Sequence, residues 1–152
     1  MMSKAESSFV YVTFIRTTPE RLWSALTTAD FMKEYWFGVQ FKTEWKVGAH
    51  WELVYPDGRM TDQGEILEMD PPKRLVLTWR HEHKKELKDE GGEALCVMEL
   101  EPVSDVMKLT ITHTMDRAES KLIKAVSGGW PRILSNLKSL LETGSVILPK
   151  KA

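Results

Sequence analysis

Three histidines are the side chains best suited to chemistry near neutral pH, because an imidazole with an ordinary pKa of about 6.5 both donates and accepts protons there. His81 and His83 lie two residues apart and so share one face of an extended segment; His113 is expected to point inward from another. A zinc ion would need a third or fourth ligand about 2.0–2.1 Å away. His83 falls where its segment runs into a charged stretch, and no Cys or carboxylate spacing completes a ligand set. No metal and no cofactor are expected. The more economical role for His113 is a hydrogen-bonded side chain in or beside a cavity.

Acid–base catalysis needs two titratable groups in a water-poor site. Glu65, Glu68, Glu99 and Glu101 are assigned to outer strand faces, with Glu52 and Asp62 alongside them, where charge serves solubility. Cys96 is predicted inward beside Met98 and Leu100, as a small buried hydrophobe rather than a nucleophile. Neither a Gly-rich phosphate loop nor a Ser-His-Asp order is present. His113 and His81 are thus the acid–base pair of any enzymatic reading. Around them stand bulky apolar and half-polar groups. Trp36, Phe37, Trp51, Tyr55, Trp79, His81, Met98, His113, Trp130 and Leu134 are the expected wall of a ligand cavity. A few hundred Å³ lined by such groups, with one or two polar tips, is the usual anatomy of a small-molecule site. The alternative is that the same tryptophans fill the space.

Positioning these groups falls first to the last long segment. Leu122, Ile123, Val126, Trp130, Ile133, Leu134, Leu137, Leu140 and Leu141 recur at spacings of three and four, which predicts one apolar helix face. Lys121, Lys124, Arg132, Ser135, Asn136, Lys138, Ser139 and Glu142 take the opposite face. Asp116 with Glu119 reads as the N-terminal cap, and Gly144 suits the left-handed position past the end. From Arg117 to Thr143 the helix would run roughly 40 Å. Gly128-Gly129 before Trp130-Pro131 suggests close packing and a kink.

Ahead of it, Phe9–Arg16 reads as a strand, followed by a helix capped by Thr18 with Leu22, Trp23 and Leu26 buried, and a short helix over Phe31–Trp36. Strands follow over 39–44, 50–55, 60–69, 74–82, 93–101 and 107–115. Pro56-Asp57-Gly58-Arg59 makes a hairpin turn, and the charged stretch Lys84–Gly92 is an exposed loop. Short turns between successive strands imply antiparallel pairing. The expected fold class is α+β: a curved antiparallel sheet of six to seven strands wrapped around a long C-terminal helix, with two short helices after the first strand.

The 152 residues suit one domain, placed at 8–145 with tails at 1–7 and 146–152. Lys and Arg number 21 against 22 acidic residues, so neither nucleic acid nor an anionic membrane is an expected partner. No apolar run approaches the ~20 residues that span a bilayer, and no secretory signal opens the chain. The single cysteine fits a reducing cytoplasm.

The ordered set of motifs resembles a known superfamily. Thr18-Pro-Glu-Arg-Leu-Trp-Ser-Ala-Leu-Thr, then Phe31 with Tyr35-Trp36-Phe37, then the run from Gly64 to Trp79 are its first marks. Leu109-Thr-Ile-Thr-His113 and Gly129-Trp130 leading into Ile133–Gly144 complete it. In this the chain is similar to the START/Bet v-like (SRPBCC) helix-grip proteins, specifically the group named after the C-terminal domain of the activator of heat-shock protein 90 ATPase. The resemblance implies a sheet that grips the C-terminal helix and leaves a cavity between them. Relatives there bind lipids, polyketides or other hydrophobic molecules, and some are cyclases or dehydratases. A small hydrophobic molecule is the expected ligand. The eukaryotic co-chaperone carries a further N-terminal domain with no counterpart in this sequence, so a chaperone partner is not expected. A partner-binding reading would need an exposed apolar patch, for example at Phe31, Tyr35 and Phe37; the near-zero net charge does not oppose a homodimer.

Overall fold

In the computed structural model, which describes residues 6–149, the apolar alternation of the strands and the 3.6-residue period of the last segment resolve into two packed layers. The chain runs β1 (Ser7–Ile15), α1 (Pro19–Thr27), α2 (Ala29–Tyr35), β2 (Gln40–Lys42), β3 (His50–Val54), β4 (Met60–Asp70) and β5 (Arg74–His81). It continues through α3 (Lys85–Glu90), β6 (Ala94–Val103), β7 (Val106–Met115) and α4 (Lys121–Thr143). The seven strands form one curved sheet in the order β1-β7-β6-β5-β4-β3-β2, every pair antiparallel. This is the α+β helix-grip arrangement that the resemblance implied.

Alternation along the strands decides which face meets α4. Ala94, Cys96, Met98 and Leu100 of β6 are buried, as are Leu109, Ile111, His113 and Met115 of β7. Leu122, Ile123, Trp130, Leu134, Leu137, Leu140 and Leu141 of α4 close over them. Each fully buried Leu or Ile contributes about 1.5–3 kcal/mol relative to exposure, so this face alone accounts for the docking of the helix.

Both ends of α4 are satisfied from other parts of the chain, and here the expected Asp116–Glu119 cap is corrected. The helix begins at Lys121 with Ser120 as its N-cap, the Ser120 hydroxyl accepting from Ile123 N–H. Glu119 has φ +53° and cannot lie in the first turn. The orphan donors are instead met by Glu90, at the end of α3: Oε1 accepts from Lys121 N at 2.7 Å, and Oε2 from the Ser120 hydroxyl at 3.0 Å and Leu122 N at 3.4 Å. The stretch read as a loop is therefore a short helix that carries this carboxylate. Burial works against the charge on Glu90, but these bonds and the nearby Arg117 outweigh it and hold the carboxyl below its ordinary pKa. At the other end Gly144 is left-handed, and Arg21 of α1 donates to Leu141 O at 2.9 Å. An anion at the N-terminus and a cation at the C-terminus both complement the helix dipole.

One more expectation changes. Asn136, placed on the solvent face, is buried: its amide donates to Leu148 O and accepts from Ile147 and Leu148 N–H. It thereby ties Ile147 and Leu148 to α4. At the other end of the chain Ser7 pairs with Met115 at the start of β1; residues 1–5 and 150–152 lie outside the described residues.

One glycine is dictated by close approach. A Cβ on Gly64 would lie 2.0 Å from Thr78 O and 2.8 Å from the Trp51 ring nitrogen. Without it the Trp51 indole reaches across β4 and donates to Thr78 O at 3.0 Å. Gly64→Ala is expected to destabilise the protein by about 1–3 kcal/mol, because backbone has to move; a urea midpoint within error of the parent would contradict this.

Candidate functional site

The site lies where the N-terminal half of α4 and the short α3 stand over β3, β4 and β5. Its floor is aromatic. Trp79 on β5 points inward with Leu75 and Leu77, and Trp36 follows α2 where the helix ends. The two rings are nearly parallel, 15° apart with centroids 6.5 Å apart, and Trp130 of α4 meets both edge-on at 5.3 and 5.8 Å. Beyond this floor a cavity of about 210 Å³ remains, walled by Leu53, Leu122, Val126 and Ile133 and bounded by Lys84 and Leu87 at α3.

A single carboxylate faces it. Asp62 is 8% exposed. Its Oδ2 accepts from Trp79 Nε1 at 2.7 Å and lies 3.0 Å from His81 Nδ1. The sequence reading put Asp62 outside; the structure corrects this. Asp62, Gly64 and Ile66 share one face of β4, all buried. The missed signal was chemical. Two N–H groups on neighbouring inward positions of β5 require an acceptor opposite them, and Asp62 registers with His81 across the β4–β5 ladder.

Of the ten expected wall residues, Trp36, Trp79, His81 and Trp130 line the cavity. Trp51, Met98 and Leu134 are buried core beneath it, with Trp51 packed 4.6 Å from Trp79 between ring centroids. Phe37 is turned away by its φ of +53°, and its ring lies 5.6 Å from the Arg132 guanidinium. Tyr55 follows a register shift at Leu53/Val54 that breaks the alternation; it sits under Arg59 and beside His83. His113 is also outside the wall. It is fully buried, with Trp79 5.3 Å away and Trp130 Nε1 donating to its Nδ1 at 3.2 Å. The residues that sequence reasoning omitted from the wall, besides Asp62, are chiefly Leu53, Leu87, Leu122, Val126 and Ile133.

The two imidazoles therefore do not form the anticipated acid–base pair. They are joined through Trp79, whose N–H meets Asp62 while its ring packs on His113. His83 is exposed, and among the described residues no three His, Cys, Asp or Glu side chains converge to hold a metal ion. Cys96 is fully buried and burial pushes its thiol pKa up, so it is no nucleophile. Gly128 and Gly129 do not serve close packing: an added Cβ would meet nothing within 4 Å at either.

A model of the family described as activator of Hsp90 ATPase homolog 1-like protein matches residues 16–142. The chain belongs to that family. No curated protein matches it significantly. Among solved structures, this family member is similar to an HSP90 activator from Plasmodium falciparum, at 23% identity and a TM-score of 0.71 over 88% of this chain and 95% of that one. The Aha1 dimer from Colwellia psychrerythraea is 19% identical with a TM-score of 0.72, over 91% and 98%. CalU16 from Micromonospora echinospora is 18% identical with a TM-score of 0.72, over 90% and 77%. At these identities the likeness is one of fold.

The buried imidazole gives the family member a pH signature. Burial pushes the His113 pKa from 6.5 down to about 4, against a weaker upward pull from Asp62. Trp130 adds to this, since its N–H already occupies the nitrogen that would take the proton. Because the folded pKa lies below the unfolded one, the unfolded chain takes up a proton that the folded chain refuses. The stability from a neutral His113 is whole above pH 6.5 and falls as pH drops toward 4, by about 2 kcal/mol between pH 7 and 5. Urea unfolding at the two pH values should show this loss in the parent and a shallower one in His113→Gln. Equal pH dependence in both would contradict it.

Proposed function

We propose that the protein binds a small hydrophobic or aromatic molecule in the cavity between the sheet and α4. The observation that supports this is the space left over. Trp36, Trp79 and Trp130 pack on one another and are 7%, 3% and 2% exposed, yet about 210 Å³ remains beyond them, apolar on most sides with one carboxylate in its wall. A cavity of about 150 Å³ lined by apolar side chains suffices to hold benzene. Binding is read as cofactor-free and cytoplasmic; among the described residues no helix is long and apolar enough to cross a membrane.

The rival readings lose support at particular residues. A partner-binding patch at Phe31, Tyr35 and Phe37 requires exposure, but Tyr35 is fully buried with its hydroxyl donating to Ala25 O, and Phe31 and Phe37 are half-buried. A cyclase- or dehydratase-like reaction using His113 with His81 requires both rings at the ligand, and His113 lies behind Trp79 and Trp130.

Gly129 lines the cavity from α4, and a side chain there would project into free space. Gly129→Leu is expected to fill part of the cavity while removing a helix-interior glycine that costs about 0.8–1.0 kcal/mol relative to alanine. Calorimetric titration with a panel of single- and double-ring aromatics should give at least tenfold weaker binding in the variant, at equal or higher melting temperature. Undiminished binding in Gly129→Leu, or no binding of any panel member to the parent, would overturn the reading.

A further inference from the structure

We infer that the cavity selects a single-ring aromatic molecule carrying a neutral hydroxyl group, and that Asp62 Oδ1 accepts the hydrogen bond from that hydroxyl. The inference rests on the binding reading above and adds the chemistry of the ligand.

The two oxygens of Asp62 are not equivalent. Oδ2 is occupied by Trp79 Nε1 and His81 Nδ1. Oδ1 makes no hydrogen bond among the described residues, and it is not one of the buried atoms sealed from solvent. Asp62 borders the cavity, so Oδ1 is the polar atom this pair offers to a ligand. His81 offers none: its Nε2 is sealed and without a partner. With Oδ2 taken by these two neighbours, the remaining carboxylate oxygen is left to accept from a ligand. In a wall otherwise made of Trp, Leu, Val and Ile, a carboxylate oxygen is satisfied by a ligand donor and opposed by a ligand acceptor.

Charge and size narrow the donor further. An anionic ligand would be repelled by Asp62. A cationic one would meet the Lys84 ammonium, which belongs to the same wall and forms no ion pair among the described residues. A neutral hydroxyl avoids both. The volume of about 210 Å³ exceeds what benzene needs by little more than a few substituent atoms, which suits one ring.

The test compares four probes of nearly equal size on the intact protein by isothermal titration calorimetry: phenol, toluene, anisole and benzaldehyde. Phenol is expected to bind at least tenfold more tightly than toluene or anisole. Asp62→Asn then reverses the polarity of the wall. The Trp79 and His81 donors hold the carboxamide oxygen at the Oδ2 position, which turns the amide N–H₂ toward the cavity, and benzaldehyde should now bind better than phenol. If Asp62→Asn fails to fold, the comparison of phenol with anisole in the parent still decides. Equal binding of all four probes by the parent would overturn the hydroxyl claim and leave the cavity reading standing. No binding of any probe at millimolar concentration would overturn both.

Discussion

Asp62 Oδ2 accepts from Trp79 and lies in hydrogen-bond reach of His81, and the candidate site depends on that convergence. A carboxylate in an apolar layer is costly unless it is hydrogen-bonded, so the two donors fix where it can sit and how it is turned. They also fix the donors. The Trp79 indole is held by its N–H from β4, which sets the plane against which Trp36 stacks and Trp130 stands edge-on. Trp130 in turn donates to His113. One hydrogen-bonded and ring-packed chain thus runs from β4 through β5 to β7 and α4, with its indoles forming a layer between sheet and helix. The cavity is the space this layer leaves uncovered.

The N-terminal end of α4 belongs to the same logic. Glu90 caps the helix from α3, and α3 brings Leu87 and the preceding Lys84 to the rim. The helix that roofs the cavity and the short helix that borders it are therefore fixed to each other by one carboxylate. Gly129, with open space where a Cβ would be, sits in the roof. A glycine inside a helix weakens it, and here that cost falls beside the cavity.

Architecture was legible in the sequence because burial writes itself as periodicity. Strand alternation through Leu75, Leu77 and Trp79, and through Leu109, Ile111 and His113, assigned the inward faces correctly, and the three- and four-residue spacing of α4 named its buried stripe. The site was legible only in part, for a reason that Asp62 illustrates. Acidic residues are mostly exposed, so charge outweighed an alternation that already pointed Asp62 inward with Gly64 and Ile66. Glu90 and Asn136 were misread in the same way, since each is a polar residue buried by bonds to distant backbone. Phe37 and Tyr55 failed for another reason. A positive φ and a register shift re-aim a side chain without leaving a mark in the apolar pattern. Even Gly64, a plain strand glycine in the sequence, acquires its meaning only from the Trp51 indole that passes it.

In the proposed complex an aromatic ligand occupies the space above the tryptophan floor, against Asp62. The six tryptophans make this directly visible, because each indole N–H gives its own signal in a two-dimensional nitrogen–proton NMR spectrum. Titration with phenol should shift the Trp79 signal most, since its N–H is bonded to the carboxylate that receives the ligand. Trp36 and Trp130 should move with it, while Trp23 and Trp45, outside the cavity wall, stay in place. A Trp79 signal that does not move at saturating phenol, or shifts confined to Trp23 and Trp45, would contradict the account.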